Sequence, residues 1–406
     1  MTSRSLLAVS ILSLLPALAP AATPDASPRL SWETGARLRY EQVDDDLFAN
    51  SANATTLRVR GAVRWQVTAA LESFAEAEAV GALGDHYNSS ANRRTGYPSI
   101  TDPQGIELNQ AWLRWHRGTT AAVLGRQRIV LDNQRWIGNS GWRQNEQTFD
   151  ALSLQASPVK DVVLRYSAVT RVHRVNGDNA VDPLARQRNL DAHLFNGTWT
   201  HGPHRLTGYG YLIDDQDVPA ASTATWGARY ALAPVNGSRP WGIAGEFARQ
   251  RDYAGNPGHF THSYALIEAV VAMHGLTFKT GAEHLGGNGR HALQTPLATL
   301  HAFNGWADRF TTTPPAGLED RYASLGGQFD KSRARGALEW QAAWHDYRSD
   351  AGNLHYGREF DASLAVPLSP TLKSLLKVAA YDADAFSRGT RKVWLQLEWA
   401  PRPIAR

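Results

Sequence analysis

From Thr55 onward the chain alternates. Leu57, Val59, Val63, Trp65 and Val67 occupy odd positions, and Thr56, Arg58, Arg60, Arg64, Gln66 and Thr68 occupy even ones. Successive side chains of a strand point to opposite faces, so this period predicts a strand with one apolar and one charged side. Its length suits a tilted membrane strand of about 9–11 residues better than a soluble strand of about 5–6. The pattern recurs. Val162, Leu164 and Tyr166 oppose Arg165, Ser167, Arg171 and His173. Ile243 and Phe247 oppose Glu246 and Gln250. Phe278 and Ala282 oppose Lys279 and Glu283. Leu338, Trp340 and Trp344 oppose Glu339, Gln341 and His345. Phe360 and Leu364 oppose Glu359 and Asp361, and Val393, Leu395 and Leu397 oppose Lys392, Gln396 and Glu398.

Turn-forming stretches separate these segments and alternate short with long. Eight short turns and nine long loops delimit about 18 strands. An even number of antiparallel strands is what a closed outer-membrane barrel requires. The expected fold is therefore all-β, a transmembrane antiparallel β-barrel with both ends on the short-turn side. A soluble β-sandwich is the rival; it would not place Arg and Glu together on the polar face of strands this long.

The first residues read as a leader, with Arg4, an apolar run from Leu6 to Leu18, and Ala19-Pro20-Ala21 as a small-x-small cleavage signal. The expected organisation is a signal peptide over 1–21 and one barrel domain over 22–406, exported to the bacterial outer membrane. Mean hydropathy is -0.39. That value reads as water-soluble, and beyond the leader there is no second apolar run of helical length, but a barrel is compatible with both because its strands need only one apolar face. With no Cys, a disulfide framework and a thiolate metal site are excluded. Of the 42 Lys and Arg residues all but six are Arg, set against 38 Asp and Glu. This near balance speaks for internal Arg–carboxylate networks and against a nucleic-acid surface.

Several stretches resemble the alginate-export family of outer-membrane proteins: Gly125–Asn139, Gly141–Asp150, Thr295–Asp308, and more weakly Glu107–Arg114 and Ala248–Gln250. The resemblance implies an 18-stranded barrel with an Arg-rich, electropositive path for a polyuronate.

A polyuronate carries one carboxylate per sugar. Rings of Arg would attract it, and interspersed carboxylates would keep its binding weak enough for release. By parity the lumen-facing bases are Arg58, Arg60, Arg64, Arg114, Arg126, Arg128, Arg165, Arg171 and Lys279. The acids are Glu76, Glu78, Glu246, Glu283, Glu339, Glu359 and Asp361. The bland reading is that these charges brace the barrel wall in pairs. Gly125–Asn139 and Thr295–Asp308 are candidates for loops folded into the pore; surface turns are the alternative.

Catalysis has little support, because His301 and His345-Asp346 lack a Ser in a nucleophile elbow. Asp44-Asp45-Asp46 could hold Ca²⁺ but reads more simply as a solvated acidic run. No cofactor is expected. The expected function is passive passage of an anionic polysaccharide. A porin for small anions or sugars is the alternative, and a barrel enzyme or adhesin a third. Expected partners are outer-membrane lipid, the anionic oligo- or polysaccharide and periplasmic export components, with the barrel working as a monomer.

Overall fold

The computed structural model describes residues 29–235, 237–329, 337–401 and 404–405. The expected leader, 1–21, lies outside them. Eighteen long strands follow one another: β1 (Arg29–Asp45), β2 (Ala52–Gln66), β3 (Leu71–Leu83), β4 (Gly105–Arg117), β5 (Thr120–Gln127), β6 (Thr148–Ala156), β7 (Val162–His173), β8 (Gln187–His201), β9 (His204–Asp215), β10 (Thr223–Leu232), β11 (Trp241–Asp252), β12 (Thr261–Met273), β13 (Leu276–Leu285), β14 (Leu318–Phe329), β15 (Leu338–Arg348), β16 (His355–Ser369), β17 (Leu372–Ala383) and β18 (Thr390–Trp399). Each pairs antiparallel with the next. Closure comes from β1, which pairs with β2 on one side and with β18 on the other, in register from Ala36↔Trp399 to Asp45↔Thr390. A two-residue strand, β19 (Ile404–Ala405), extends the β18 seam along Ser31 and Trp32.

Closure leaves no unpaired strand edge, the one way a sheet can satisfy its backbone in lipid. No helix among the described residues is long and apolar enough to cross a membrane. The outward face carries the apolar half of each strand. Leu57, Val59, Leu124, Ile267 and Leu395 are exposed there. Trp32, Trp65, Trp115, Trp199, Trp241 and Trp399 are exposed near the short-turn end, where aromatic rings mark the boundary of the hydrocarbon.

Bulges break the two-residue period at Asn109, Thr170, Tyr356 and Leu368 among the described residues, and the first two bear on the expected lumen charges. In β4, Gln110 pairs with Glu76 and Leu108 with Ala77, leaving Asn109 over. In β7, Arg171 pairs with Asp150 and Val169 with Ala151, leaving Thr170 over. An extra residue reverses which side chains point inward beyond it.

Candidate functional site

The inward face is polar, as the alternation predicts. Arg58, Arg60 and Arg64 share the inner face of β2, and Glu76 and Glu78 that of β3. Arg114, Arg165, Glu246, Lys279, Glu283, Glu339, Glu359 and Asp361 also lie on inward positions of their strands. Arg128 lies just beyond β5, in the loop that follows it.

Two expected lumen residues face the other way. Arg126 shares the outer face of β5 with Leu124, while Ala121, Val123 and Gln127 point inward. Its Nε donates to Asp150 Oδ1 at 3.0 Å and its Nη1 to the Leu108 carbonyl at 3.0 Å. It stands at the long-loop end, beyond the apolar belt, where an outward charge meets polar surroundings. Arg171 is turned outward by the Thr170 bulge. Val172 takes the inward position, fully buried, and Arg171 donates instead to Asn189 Oδ1 on β8.

Most inward charges are spoken for. Arg58 lies 3.7 Å from Glu398, Arg64 binds Glu33 and Glu72, and Arg114 lies 3.4 Å from Glu72. Arg128 binds Glu76 and Glu146. Lys279 lies 3.2 Å from Glu268, and Glu339, at the short-turn end, 2.9 Å from Lys373. Among the described residues, no carboxylate lies within 4.0 Å of Arg60 or Arg165; the Arg165 Nε donates to Gln155 Oε1 at 3.1 Å.

The lumen is narrowed by two loops, 128–147 between β5 and β6 and 286–317 between β13 and β14. They hold Thr295–Asp308 and all but the first three residues of Gly125–Asn139, the stretches singled out as possible inward folds, and both turn into the barrel. There they join each other. Gly138 N donates to Leu297 O at 2.9 Å, Thr299 N to Gln134 O at 3.1 Å, and Gln147 Nε2 to Leu297 O at 3.0 Å. Ile129, Leu131, Ile137, Leu293, Leu297 and Phe310 of these loops are buried in one cluster with wall tyrosines 209, 211, 264, 347, 356 and 381. Removing so many apolar side chains from water, at roughly 25 cal/mol per Å², is what draws the loops inward.

Charged contacts then pin the loops to the wall. Arg135 pairs with Glu283 at 2.8 Å, and Trp136 Nε1 donates to Glu246 at 2.7 Å. Arg37 Nη1 donates to the carbonyls of Gly141, Trp142 and Arg143, each at 3.2 Å. Arg39 Nη2 donates to Trp142 O at 2.6 Å. Across the lumen, Glu359 accepts from Ala307 N at 2.6 Å and Asp361 from Trp306 N at 3.2 Å. Asp308 gathers Lys392, Arg143 and His301 at 2.8, 3.1 and 2.7 Å.

Burial pushes the His301 imidazole down to about 3; Asp308 opposes this and Lys377 adds to it. Burial would raise Asp308, but His301 and Lys392 hold it well below the usual carboxylate range. Burial would likewise raise Glu146, and the Arg128 guanidinium, with Asn109 and Asn139, more than reverses that and holds it at about 2.

Beside the joined loops lies a cavity of about 410 Å³ against the β9–β16 wall. Each Arg and Lys that lines it is paired at short range, Arg205 with Asp132 at 3.3 Å, Lys279 with Glu268 at 3.2 Å and Arg229 with Glu246 of the wall at 3.1 Å, and Glu283, Asp320 and Asp361 line it as well. Such a path can hold water and pass a polar solute, but it offers few unneutralised groups to capture one. Two carboxylates of the acidic run have partners of their own. Asp45 takes Arg309 and the Leu47 N–H, and Asp44 accepts from Gln42.

Sequence reasoning missed Arg37 and Arg39, although β1 alternates as β2 does. Arg135, Trp142, Arg143, His301, Trp306 and Asp308 carry no periodic signal, because they sit in loops.

A family model described as alginate export matches residues 29–280, more than half of the chain. No curated protein sequence matches it significantly. Its fold is similar to that of solved outer-membrane proteins. OccK1 (OpdK) of Pseudomonas aeruginosa is 11% identical with a TM-score of 0.70, over 93% of this chain and 99% of that one. OccK9 (OpdG) of the same organism is 14% identical at 0.73, over 92% and 98%. OccAB2 of Acinetobacter baumannii is 15% identical at 0.69, over 92% and 98%. OpdK has also been solved with vanillate, at 12% identity and a TM-score of 0.70, over 93% and 99%. At these identities the likeness is one of fold.

Proposed function

Because this chain belongs to the alginate-export family, and its barrel is of the outer-membrane kind, we propose that it passes a carboxylate-bearing saccharide, a polyuronate or its oligomers, by passive diffusion through the Arg-rich lumen. One observation carries this reading: of the candidate lumen arginines, Arg60 and Arg165 stand among polar neighbours with no carboxylate partner within 4.0 Å among the described residues. A uronate carboxylate can exchange part of its hydration for such a guanidinium. Glu33, Glu72 and Glu78 nearby on β1 and β3 keep the contact weak, so that the chain moves on. The other arginines brace the wall. The barrel works as a monomer in this reading and receives the saccharide at its short-turn end from periplasmic export components. No catalytic step is involved.

The test is ion current through purified protein in planar bilayers. Anion preference and concentration-dependent block by oligouronates are expected. Cation preference, or no block, would refute the proposal.

A second reading has its own support. Two loops joined inside the barrel leave a narrow path, and OpdK, a barrel of the same shape, has been solved with the small carboxylate vanillate. A porin for small anions would carry benzoate-sized carboxylates as current, with oligouronates neither carried nor blocking.

A further inference from the structure

Arg249 and Arg251 lie on the outward face of β11, both exposed, at its long-loop end. Their cross-strand neighbours are neutral: Trp226 and Ser263 flank Arg249, and Ala224 and Thr261 flank Arg251. Among the described residues neither Arg has a carboxylate within 4.0 Å, unlike outward Arg126 and Arg358, which bind Asp150 and Asp346. Below them the outward positions of β11 are Phe247, Gly245, Ile243 and Trp241, an apolar run closed by a tryptophan at the short-turn boundary. Arg249 and Arg251 therefore stand where the hydrocarbon ends, at headgroup level.

A separate feature lies on the same outer wall. A groove of about 690 Å³ runs between Leu154, Leu164, Tyr166, Phe195 and Trp226, over glycines 197, 208 and 210. The Trp226 ring lies on Gly210, whereas the space above Gly208 is open. Pairing links groove and arginines. Gly208 pairs with Ala228, Ala228 with Phe247, and Phe247 is four residues from Arg251 on one strand. Four strand residues span about 13 Å, close to the roughly 15 Å that half of the hydrocarbon core measures. A molecule with an anion at Arg251 and an acyl chain reaching toward mid-bilayer meets both features at once.

We infer that this wall binds one phosphorylated, multiply acylated glycolipid of the outer leaflet, lipid A in chemical class. Arg249 and Arg251, with the Ser263 and Thr261 hydroxyls, take a phosphate, and an acyl chain lies over Trp226 into the glycine-floored groove. The outer leaflet is the source because the long loops of such barrels face outside. The charge is matched by phosphate, since the pair carries two positive charges and, although Asp252 follows Arg251 in the chain, no carboxylate of the described residues lies within 4.0 Å of either guanidinium.

The test is native mass spectrometry and affinity titration of the detergent-purified barrel with bisphosphorylated lipid A. One lipid per barrel is expected. The double change Arg249→Gln with Arg251→Gln should weaken binding about tenfold or more. Gly208→Leu, at a position with open space for a side chain, should weaken it independently. Arg391→Gln, an outward arginine on β18, should leave it unchanged. Heat-modifiable gel mobility reports that each variant is a folded barrel. Undiminished binding by the double variant would overturn the inference. So would equal binding of lipid A lacking its phosphates, preference for phosphatidylglycerol, equal competition by inorganic phosphate alone, or a pair of barrels covering the groove in place of lipid.

Discussion

The Lys377 ammonium lies 3.7 Å from the ring centroid of Trp306. Trp142 stands 4.2 Å from the same nitrogen, and His301 Nε2 2.7 Å from it. Trp142 belongs to loop 128–147 and Trp306 to loop 286–317, while Lys377 belongs to the wall strand β17. One cation therefore holds both narrowing loops. A desolvated cation over a tryptophan is worth about 2 kcal/mol.

Lys377→Met should loosen both loops and leave the barrel intact, since Asp308 keeps Arg143 and Lys392. The expected result is higher single-channel conductance with more open-channel noise, and unchanged heat-modifiable mobility. Unchanged conductance would show that the loops are held elsewhere.

Acid should loosen the same contact. His301 is neutral when buried, with its pKa down at about 3 against 6.5 when free. The open arrangement thus binds a proton that the closed one refuses, and closure weakens by about 1.4 kcal/mol per pH unit as pH falls from 6.5 toward 3. Glu146, held at about 2, adds to this below its ordinary 4.5, because protonation removes its pull on Arg128. Current recorded from pH 7 down to pH 4 should rise or flicker. His301→Gln should remove the part of that response above pH 4.5.

Neutralising Arg60 and Arg165 to Gln should lower anion selectivity and leave assembly unchanged. Each charge contributes about 1 kcal/mol at 4 Å in water, roughly a fivefold effect. The same change at Arg64, already bound to Glu33 and Glu72, should matter less to selectivity and more to thermal stability. Reversal potentials in a salt gradient measure the first, and melting of the folded gel band the second.

The outward face is tested by the opposite substitution. Val59→Arg or Leu395→Arg places a charge in hydrocarbon and should cost about 2–4 kcal/mol near the midplane. Refolding into lipid vesicles under a denaturant series reads this directly. Tolerance at both positions would mean that the inside and outside faces have been exchanged.

Strand number, closure and most inward charges were legible in the sequence because each follows from a period of two. Arg58, Arg60 and Arg64 against Leu57, Val59 and Val63 left no freedom about which face meets water. Arg171 was misread because one additional residue, Thr170, reverses parity without any mark in the pattern. Arg126 was misread because the last outward position of β5 lies beyond the apolar belt, where a charge is no guide to facing.

Only the tertiary structure decided how the pore is narrowed and which of its charges are occupied. Local alternation determines a strand's two faces, since lipid and water sort side chains one residue at a time. Where Trp142, His301 and Trp306 meet Lys377 depends on loops far apart in sequence folding back against a wall they do not belong to. That arrangement is set by burial and ion pairing across the barrel, and no short stretch of the chain encodes it.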